Sequence, residues 1–219
     1  LQDLGEVRMK RMLDLYSGLG GASEAFVKAG WQVDRLENNE LLTDHKSEFH
    51  VDGTTHQDIL TWDYRQLPVG YYDFIWASPP CLEFSQAYGA PAMVAKREGR
   101  EFKPDMSLLA RAKEIIDWFK PDWWVIENVR GASRPFSEFL QSPPRQIVGP
   151  FFLWGVFPFI QPETGWTHLK ETRKKGDGGM STWSDDPIRA NKKGKIPLEI
   201  SRQFLEGVTE QTRITEWIW

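Results

Sequence analysis

RMLDLYSGLGGASEAFVKAGWQVDRLEN, residues 11–38, is the stretch whose reading decides the fold. Its opening apolar run, RMLDLY over residues 11–16, breaks at Gly18, Gly20 and Gly21. Beyond the glycines, Ala22, Ala25, Phe26 and Ala29 recur at helical spacing and stop at Gly30, a residue suited to end a helix. WQVDRLEN, residues 31–38, then reads as a second strand. Strand, glycine turn, helix and strand make one βαβ unit, and such a crossover joins parallel strands.

The same rhythm continues outward. YDFIWA, residues 72–77, is a buried strand that ends at Ser78-Pro79-Pro80, and Asp58 falls at the tip of a third strand ahead of it. Residues 106–119 place Leu108, Leu109, Ala112, Ile115, Ile116 and Phe119 on one helical face. Trp123–Ile126 is a further strand, closed by Glu127-Asn128, and residues 147–159 (IVGPFFLWGVFPF) are strand-rich and aromatic. Gln86–Pro104 is polar and rich in Gly, Lys and Arg, which predicts a mobile loop. Residues 161–195 read as a basic loop region, and residues 196–208 as a final helix with Pro197 in its first turn. Together these predict an α/β domain built on an open, mostly parallel, doubly wound sheet. It would span residues 9–160 and 196–210, with 161–195 as a short inserted element and 1–8 as a tag or upstream extension preceding Met9.

Composition narrows the function. The 219 residues suffice for one such domain, and a net charge of −4 means that any nucleic-acid contact must come from a local basic patch. Eleven Trp and thirteen Phe suit either a large aromatic core or surfaces that stack on bases; their placement in apolar runs favours the core. A single cysteine excludes an internal disulfide and leaves no Cys/His cluster for a metal, so no metal site is expected. With no signal peptide and no membrane-length apolar run, a cytoplasmic location is expected.

In open α/β sheets ligands bind at the carboxyl ends of the strands. Asp14–Gly21, Glu37, Asp58, Ser78–Ser85 and Glu127-Asn128 all fall at that edge. Taken singly, the glycines suit any tight turn, and Glu37 and Asp58 suit solvated loops. As a group they describe an adenosyl pocket: glycines for close backbone approach, Glu37 for the ribose hydroxyls and Asp58 for the adenine amino group. The phosphate-loop lysine is missing, which points to S-adenosylmethionine more than to a dinucleotide. Cys81, in SPPCLEFS, could be an inert buried thiol, but its place after two prolines at the ligand edge favours a nucleophile. Glu127 follows four apolar residues, and burial there would keep its carboxyl protonated near neutrality, able to donate to nitrogen 3 of a cytosine; the alternative is a structural cap.

LDLYSGLGGASEAF, SPPCLEFS and IENV, in this order and spacing, resemble the motifs of the DNA cytosine carbon-5 methyltransferases. The likeness covers residues 11–130 well and IPLEIS weakly. It implies the Rossmann-like fold of S-adenosylmethionine-dependent methyltransferases and a cofactor site lined by Tyr16, Gly18, Leu19, Gly20, Gly21, Glu37, Asn38, Asp58, Ile59 and Pro79. It further implies that Cys81 attacks carbon 6 of a cytosine flipped out of DNA, that Glu127 protonates nitrogen 3, and that Asn128 holds Glu127 in register. The loop 86–104, with Lys96, Arg97, Arg100 and Lys103, would close over the extruded nucleotide.

The chain departs from the family pattern at two places. The arginine expected to contact the cytosine has no clean match, leaving Arg145 and Arg173 as candidates. Residues 161–195 leave little room for a target-recognition domain, a compact build of phage or mobile-element type, in bacteria or a phage-infected host. Target recognition would then fall to a partner subunit or a second copy, with Lys170, Arg173, Lys174, Lys175, Arg189, Lys192, Lys193 and Lys195 as candidate phosphate contacts or a merely solvated loop. RNA or a free cytosine nucleotide as substrate, and a non-catalytic cofactor-binding subunit, are the competing readings.

Overall fold

The computed structural model describes residues 8–86, 88–162 and 186–216, with backbone alone for 211–216. The chain runs β1 (Arg11–Leu15), α1 (Glu24–Lys28), β2 (Gln32–Glu37), α2 (Glu40–Thr43), β3 (Thr54–His56) and β4 (Phe74–Ala77). It continues through α3 (Pro91–Arg97), α4 (Ser107–Phe119), β5 (Trp123–Asn128), α5 (Ser133–Leu140), β6 (Gln146–Val148), β7 (Phe151–Val156), α6 (Arg189–Gly194) and α7 (Leu198–Glu216). The sheet order is β3-β2-β1-β4-β5-β7-β6. The first five strands are parallel, and β7 returns antiparallel between β5 and β6. This is the expected open, mostly parallel α/β sheet.

Strand alternation builds a core on each face. Leu13, Leu15, Ile75, Ala77 and Ile126 pack against Ile115, Ile116 and Phe119 of α4 and Phe136 of α5. Met12, Phe74, Trp76 and Val125 pack on the other face against Phe26 of α1 and Ile200, Phe204 and Val208 of α7. Phe26, Phe74, Trp76, Phe119, Phe136, Trp154, Phe157 and Phe204 are fully or almost fully buried and serve the core, while Tyr88, Phe139 and Phe159 are exposed. Burying each contributes about 1.5–3 kcal/mol.

The last helix is bonded to the first. Ser201 is fully buried; its Oγ accepts from the Ala25 amide at 3.1 Å and donates to the Ala22 carbonyl at 2.6 Å. Gly21 allows this approach, because a Cβ there would stand 2.2 Å from the Ile196 carbonyl oxygen. The end of the described chain therefore seats the glycine turn near its beginning.

Two loop expectations are corrected. Residues 86–104 contain α3, which starts at Pro91 and buries Ala95. Its short face is built from alanines between turn glycines, so no strong apolar period marks it. Within 161–195, residues 189–194 form α6, again too short and too polar for a periodic signal; residues 163–185 lie outside the described part. Helix α7 also runs to Glu216, well past the expected end at 208. No helix among the described residues is long and apolar enough to cross a membrane.

Replacing Ser201 with Ala should remove both hydrogen bonds and leave a buried amide without its partner. The expected cost is about 1–3 kcal/mol of unfolding free energy, read by urea denaturation followed by circular dichroism. An unchanged midpoint would show that the α1–α7 contact rests on apolar packing alone.

Candidate active site

The carboxyl ends of β1, β2, β4 and β5 carry the expected residues, and the backbone between them makes two adjoining half-sites. The first is the glycine turn. Tyr16 adopts φ 59°, and Gly18 and Gly20 follow at 51° and 66°, a left-handed path that glycine follows at little cost. The Glu37 carboxylate at the end of β2 draws this turn in: Oε2 accepts from the Gly18 amide at 2.8 Å, and Oε1 from the Asn38 and Asn39 amides at 3.0 Å each. Asp58 lies just beyond β3, its Oδ1 accepting from the Leu60 amide at 2.9 Å. Ile59 is buried beside it, and burial, with a smaller contribution from the Asp58 charge, disfavours the Tyr16 phenolate. The Tyr16 hydroxyl donates to the Leu108 carbonyl at 2.8 Å, tying this side to the start of α4.

Underneath the turn lies a polar cluster. Asp14, 1% exposed, accepts from Ser23 Oγ at 2.6 Å, and Arg35 donates from Nε to the same Ser23 oxygen at 2.8 Å. Burial raises the Asp14 carboxyl to about pH 7 despite the Ser23 bond and the nearby Arg35 charge. Helix α6 comes up against the turn from outside: Asn39 Nδ2 donates to Asn191 Oδ1 at 3.5 Å, and Asn191 lies beside Gly18. Asp14 is visible in the sequence as a charged residue inside an apolar strand; Arg35, Asn39 and Asn191 carry no such mark.

The second half-site joins β4 and β5. Their register sets Ala77 beside Ile126, so Ser78 follows next to Glu127. Asn128, 1% exposed, donates from Nδ2 to the Pro79 carbonyl at 2.9 Å and accepts the Val129 amide on Oδ1. Cys81 then opens the turn Leu82–Phe84, with the Phe84 amide bonded to its carbonyl at 3.0 Å. Gly131 lets this turn settle, because a Cβ there would meet the Phe84 carbonyl oxygen at 1.8 Å. Ser78 is visible in the sequence at the end of its strand, whereas Gly131 carries no mark.

The electrostatics follow from this packing. Glu127 is buried, and desolvation raises its carboxyl from 4.5 to about 7 against the opposing hydrogen bond from Ser78. Ser78 Oγ is itself held by Trp76 Nε1 at 2.8 Å. Cys81 is open to solvent as a residue, yet the protein around its sulfur disfavours the thiolate, and the Glu127 charge pushes the thiol further up. Thiol and carboxyl therefore share one electrostatic neighbourhood.

Other expected contributors lie elsewhere. Arg145 donates from Nε to the Phe157 carbonyl at 3.0 Å and stacks 4.6 Å from the Phe159 ring, facing the opposite end of the sheet from Cys81. A polar hairpin arginine has no sequence mark of which end it faces, and the antiparallel return of β7 decides it. Arg173, Lys170, Lys174 and Lys175 lie outside the described residues. Of the remaining basic cluster, Lys192 pairs with Asp186 at 2.8 Å and Lys195 with Glu24 at 3.1 Å. Arg97 stacks 3.8 Å from the Tyr88 ring, and Arg100 pairs with Glu98. Among the described residues no group of three or more His, Cys, Asp or Glu side chains could hold a metal ion.

The buried carboxyl has a signature in pH. A folded-state pKa above the unfolded value means that the native state holds the proton more tightly. Glu127 then costs stability as pH rises from about 4.5 to about 7, and Asp14 acts in the same direction. Glu127→Gln should gain on the wild type by about 1–3 kcal/mol between about pH 5 and about pH 8 in urea melts. The same variant should quicken iodoacetamide alkylation of Cys81 near pH 8. Equal pH profiles for the two proteins would refute the buried, protonated carboxyl.

Comparison with known proteins matches this arrangement. The family model for C-5 cytosine-specific DNA methylases matches residues 10–141. A probable DNA (cytosine-5)-methyltransferase of Frog virus 3 is 35% identical over 146 residues, covering 63% of this chain and 61% of that protein. The type II methyltransferase M.DdeI of Desulfomicrobium norvegicum is 27% identical over 124 residues, covering 55% of this chain and 28% of its own. Among solved structures, the Entamoeba histolytica methyltransferase EhMeth gives a TM-score of 0.42 at 14% identity over 70% of this chain and 55% of that one. This chain thus spans less than two thirds of the length of the curated relatives it matches. With the family model covering both half-sites, from the glycine turn through Cys81 to Glu127 and Asn128, the chain belongs to the C-5 cytosine-specific DNA methylases.

Proposed function

We propose that the chain methylates carbon 5 of cytosine in DNA, with S-adenosylmethionine as donor and Cys81 as covalent nucleophile. The observation that carries this reading is the shared neighbourhood of the Cys81 thiol and a Glu127 carboxyl raised to about 7, at the ends of adjacent strands.

The first half-site suits the cofactor. Glu37 and the left-handed glycines present backbone and one carboxylate, while Lys195, packed against Gly21, has its ammonium on Glu24 at 3.1 Å. Ser17 Oγ is buried in the turn without a hydrogen-bond partner among the described residues, a polar atom consistent with a ligand contact there. Tyr16, Leu19, Gly20, Gly21, Asn38, Asp58, Ile59 and Pro79 complete the proposed lining, with Glu37 on the ribose and Asp58 on the adenine. S-adenosylmethionine, when bound, supplies a methyl group activated on sulfonium.

The second half-site makes the base reactive. Carbon 5 of cytosine is a poor nucleophile until a thiolate adds at carbon 6. Cys81 loses its proton to solvent and its sulfur forms the bond to carbon 6. In the same step Glu127 gives its proton to nitrogen 3, absorbing the charge that the ring would otherwise carry. Carbon 5 of the resulting enamine is then nucleophilic. After methylation, solvent removes the proton from carbon 5, the carbon–sulfur bond breaks, and nitrogen 3 returns its proton to Glu127. Asn128 positions both partners through Pro79. Burial and the Glu127 charge disfavour the Cys81 thiolate, and passing the Glu127 proton to nitrogen 3 as sulfur attacks keeps the ring from carrying the added charge. The segment 86–104 is proposed to close over a base flipped out of the duplex.

Incubating the protein with S-adenosylmethionine and a random-sequence duplex pool containing 5-fluorocytosine should trap a covalent adduct, since fluorine blocks the final proton loss. Cys81→Ala should give none while retaining cofactor affinity in calorimetry. Glu127→Gln should lower kcat on unmodified DNA by about 10²–10³-fold. Glu37→Ala should weaken cofactor binding at least about tenfold, since a carboxylate bonded to backbone amides organises the turn. Methyl transfer confined to RNA or to dCMP would displace DNA as substrate, and an adduct with Cys81→Ala would end the proposed chemistry.

A further inference from the structure

Next to the Cys81 turn the molecule carries a cleft of about 1060 Å³ that the reaction above does not use. One wall is α5 with the turn before it, offering Arg130, Ser133 and Arg134 together with the Glu138 carboxylate; the other is the β6–β7 hairpin, offering Ile147 and Phe152. Gln86 links the cleft to the Cys81 loop, and Gly131, on which Phe84 rests, forms part of its floor. The cleft therefore continues directly from the proposed base site: Phe152 lies in register with Asn128, one residue beyond Glu127.

Its charge is what distinguishes it. The exposed Arg130 guanidinium makes no ion pair or hydrogen bond with any described residue. Arg134 is 89% exposed and pairs only with Glu138, itself 65% exposed, at 2.8 Å. An exposed pair of this kind is weak and screened, so a phosphate can take its arginine. Lys192 and Lys195, candidates for phosphate contact elsewhere, pair with the less exposed carboxylates of Asp186 and Glu24, 19% and 28% exposed. In a protein of net charge −4, an arginine with no partner among the described residues, in a cleft that Gln86 and Gly131 join to the Cys81 turn, is a local feature with a local use.

We propose that this cleft holds the phosphodiester backbone of the DNA strand flanking the target cytosine, with Arg130 and Arg134 on successive phosphates and Ile147 and Phe152 against the sugars. The inference rests on the proposed DNA reading and adds to it a docking surface and two contact residues. Phosphate contacts of this type set register and affinity without reading sequence. The tract thereby supplies in the catalytic domain some of the grip expected of a separate recognition element.

Fluorescence anisotropy of a labelled random-sequence duplex, titrated with KCl from about 0.05 to about 0.2 M, tests this directly. Removing one phosphate-binding arginine should reduce the slope of log affinity against log salt by about 1. Arg130→Ala should therefore bind roughly five- to tenfold more weakly near 0.1 M salt, and Arg130→Ala/Arg134→Ala should lower the slope by about 2. Cofactor affinity should stay unchanged, and adduct yield at saturating DNA should remain. Arg130→Lys should restore most of the binding, and Lys113→Gln, on α4 outside the cleft, should match the wild type. An unchanged slope in the double variant, with wild type still forming adduct, would overturn the cleft while leaving the reaction standing. A wild type that neither binds duplex nor forms adduct would overturn both. A pull-down in which the arginine variants lose a protein partner but keep their DNA slope would assign the cleft to that partner instead.

Discussion

The hydrogen bond from Asn128 Nδ2 to the Pro79 carbonyl fastens together the ends of two neighbouring parallel strands where each leaves the sheet. A parallel pair places its strand ends side by side but says nothing of how the chain departs from them. Two prolines and a buried amide remove that freedom. β4 leaves through a turn that presents Cys81, and β5 ends with Glu127 turned to the opposite face from Asn128. The Gly131 notch under the Phe84 carbonyl then fixes the turn from below. Loss of this one amide would leave a buried carbonyl unsatisfied and loosen the turn that holds Cys81 near Glu127.

Two buried acids at the same sheet edge illustrate how environment separates similar groups. Asp14 and Glu127 are both raised to about 7 by burial. Asp14 has Ser23 bonded to it and Arg35 nearby, and it lies beneath the glycine turn, where no substrate atom need come. Glu127 has Ser78 alone to oppose its burial and stands beside an exposed thiol. The first arrangement organises a turn. The second leaves a proton available near neutral pH, the property that the proposed ring protonation requires.

The described C-terminal part binds the architecture together from outside. Ser201 reaches back across 176 residues to the amide of Ala25, and α6 sets Asn191 against Asn39 beside the glycine turn. The proposed cofactor half-site is thus walled by early and late segments of the described chain, which couples its geometry to the packing of α7. The cleft beside Cys81 depends instead on the β6–β7 hairpin, so the two sides of the proposed reaction are braced by different elements.

Local chemistry alone settled several features. The apolar runs in 11–15, 74–77 and 123–126, the glycines at 18, 20 and 21, and the helical period of 106–119 required a parallel α/β sheet with its ligand edge at the strand ends. The resemblance carried by Cys81 and Glu127-Asn128 then marked that edge as the candidate site, and the covalent chemistry proposed there goes beyond what local pattern settles. Short polar helices such as α3 and α6 left no trace, because a turn or two of alanine and lysine gains its stability from what it packs against rather than from its own pattern. Arg145 shows the same limit for side chains: its sequence position suits the ligand edge, while the antiparallel return of β7 turns it to the far end. Which groups are near one another, which carboxyl keeps its proton, and which arginine has no acidic neighbour among the described residues depend on burial and on contacts between distant residues. Those quantities come into being only when the sheet is assembled, so the tertiary structure alone decided them.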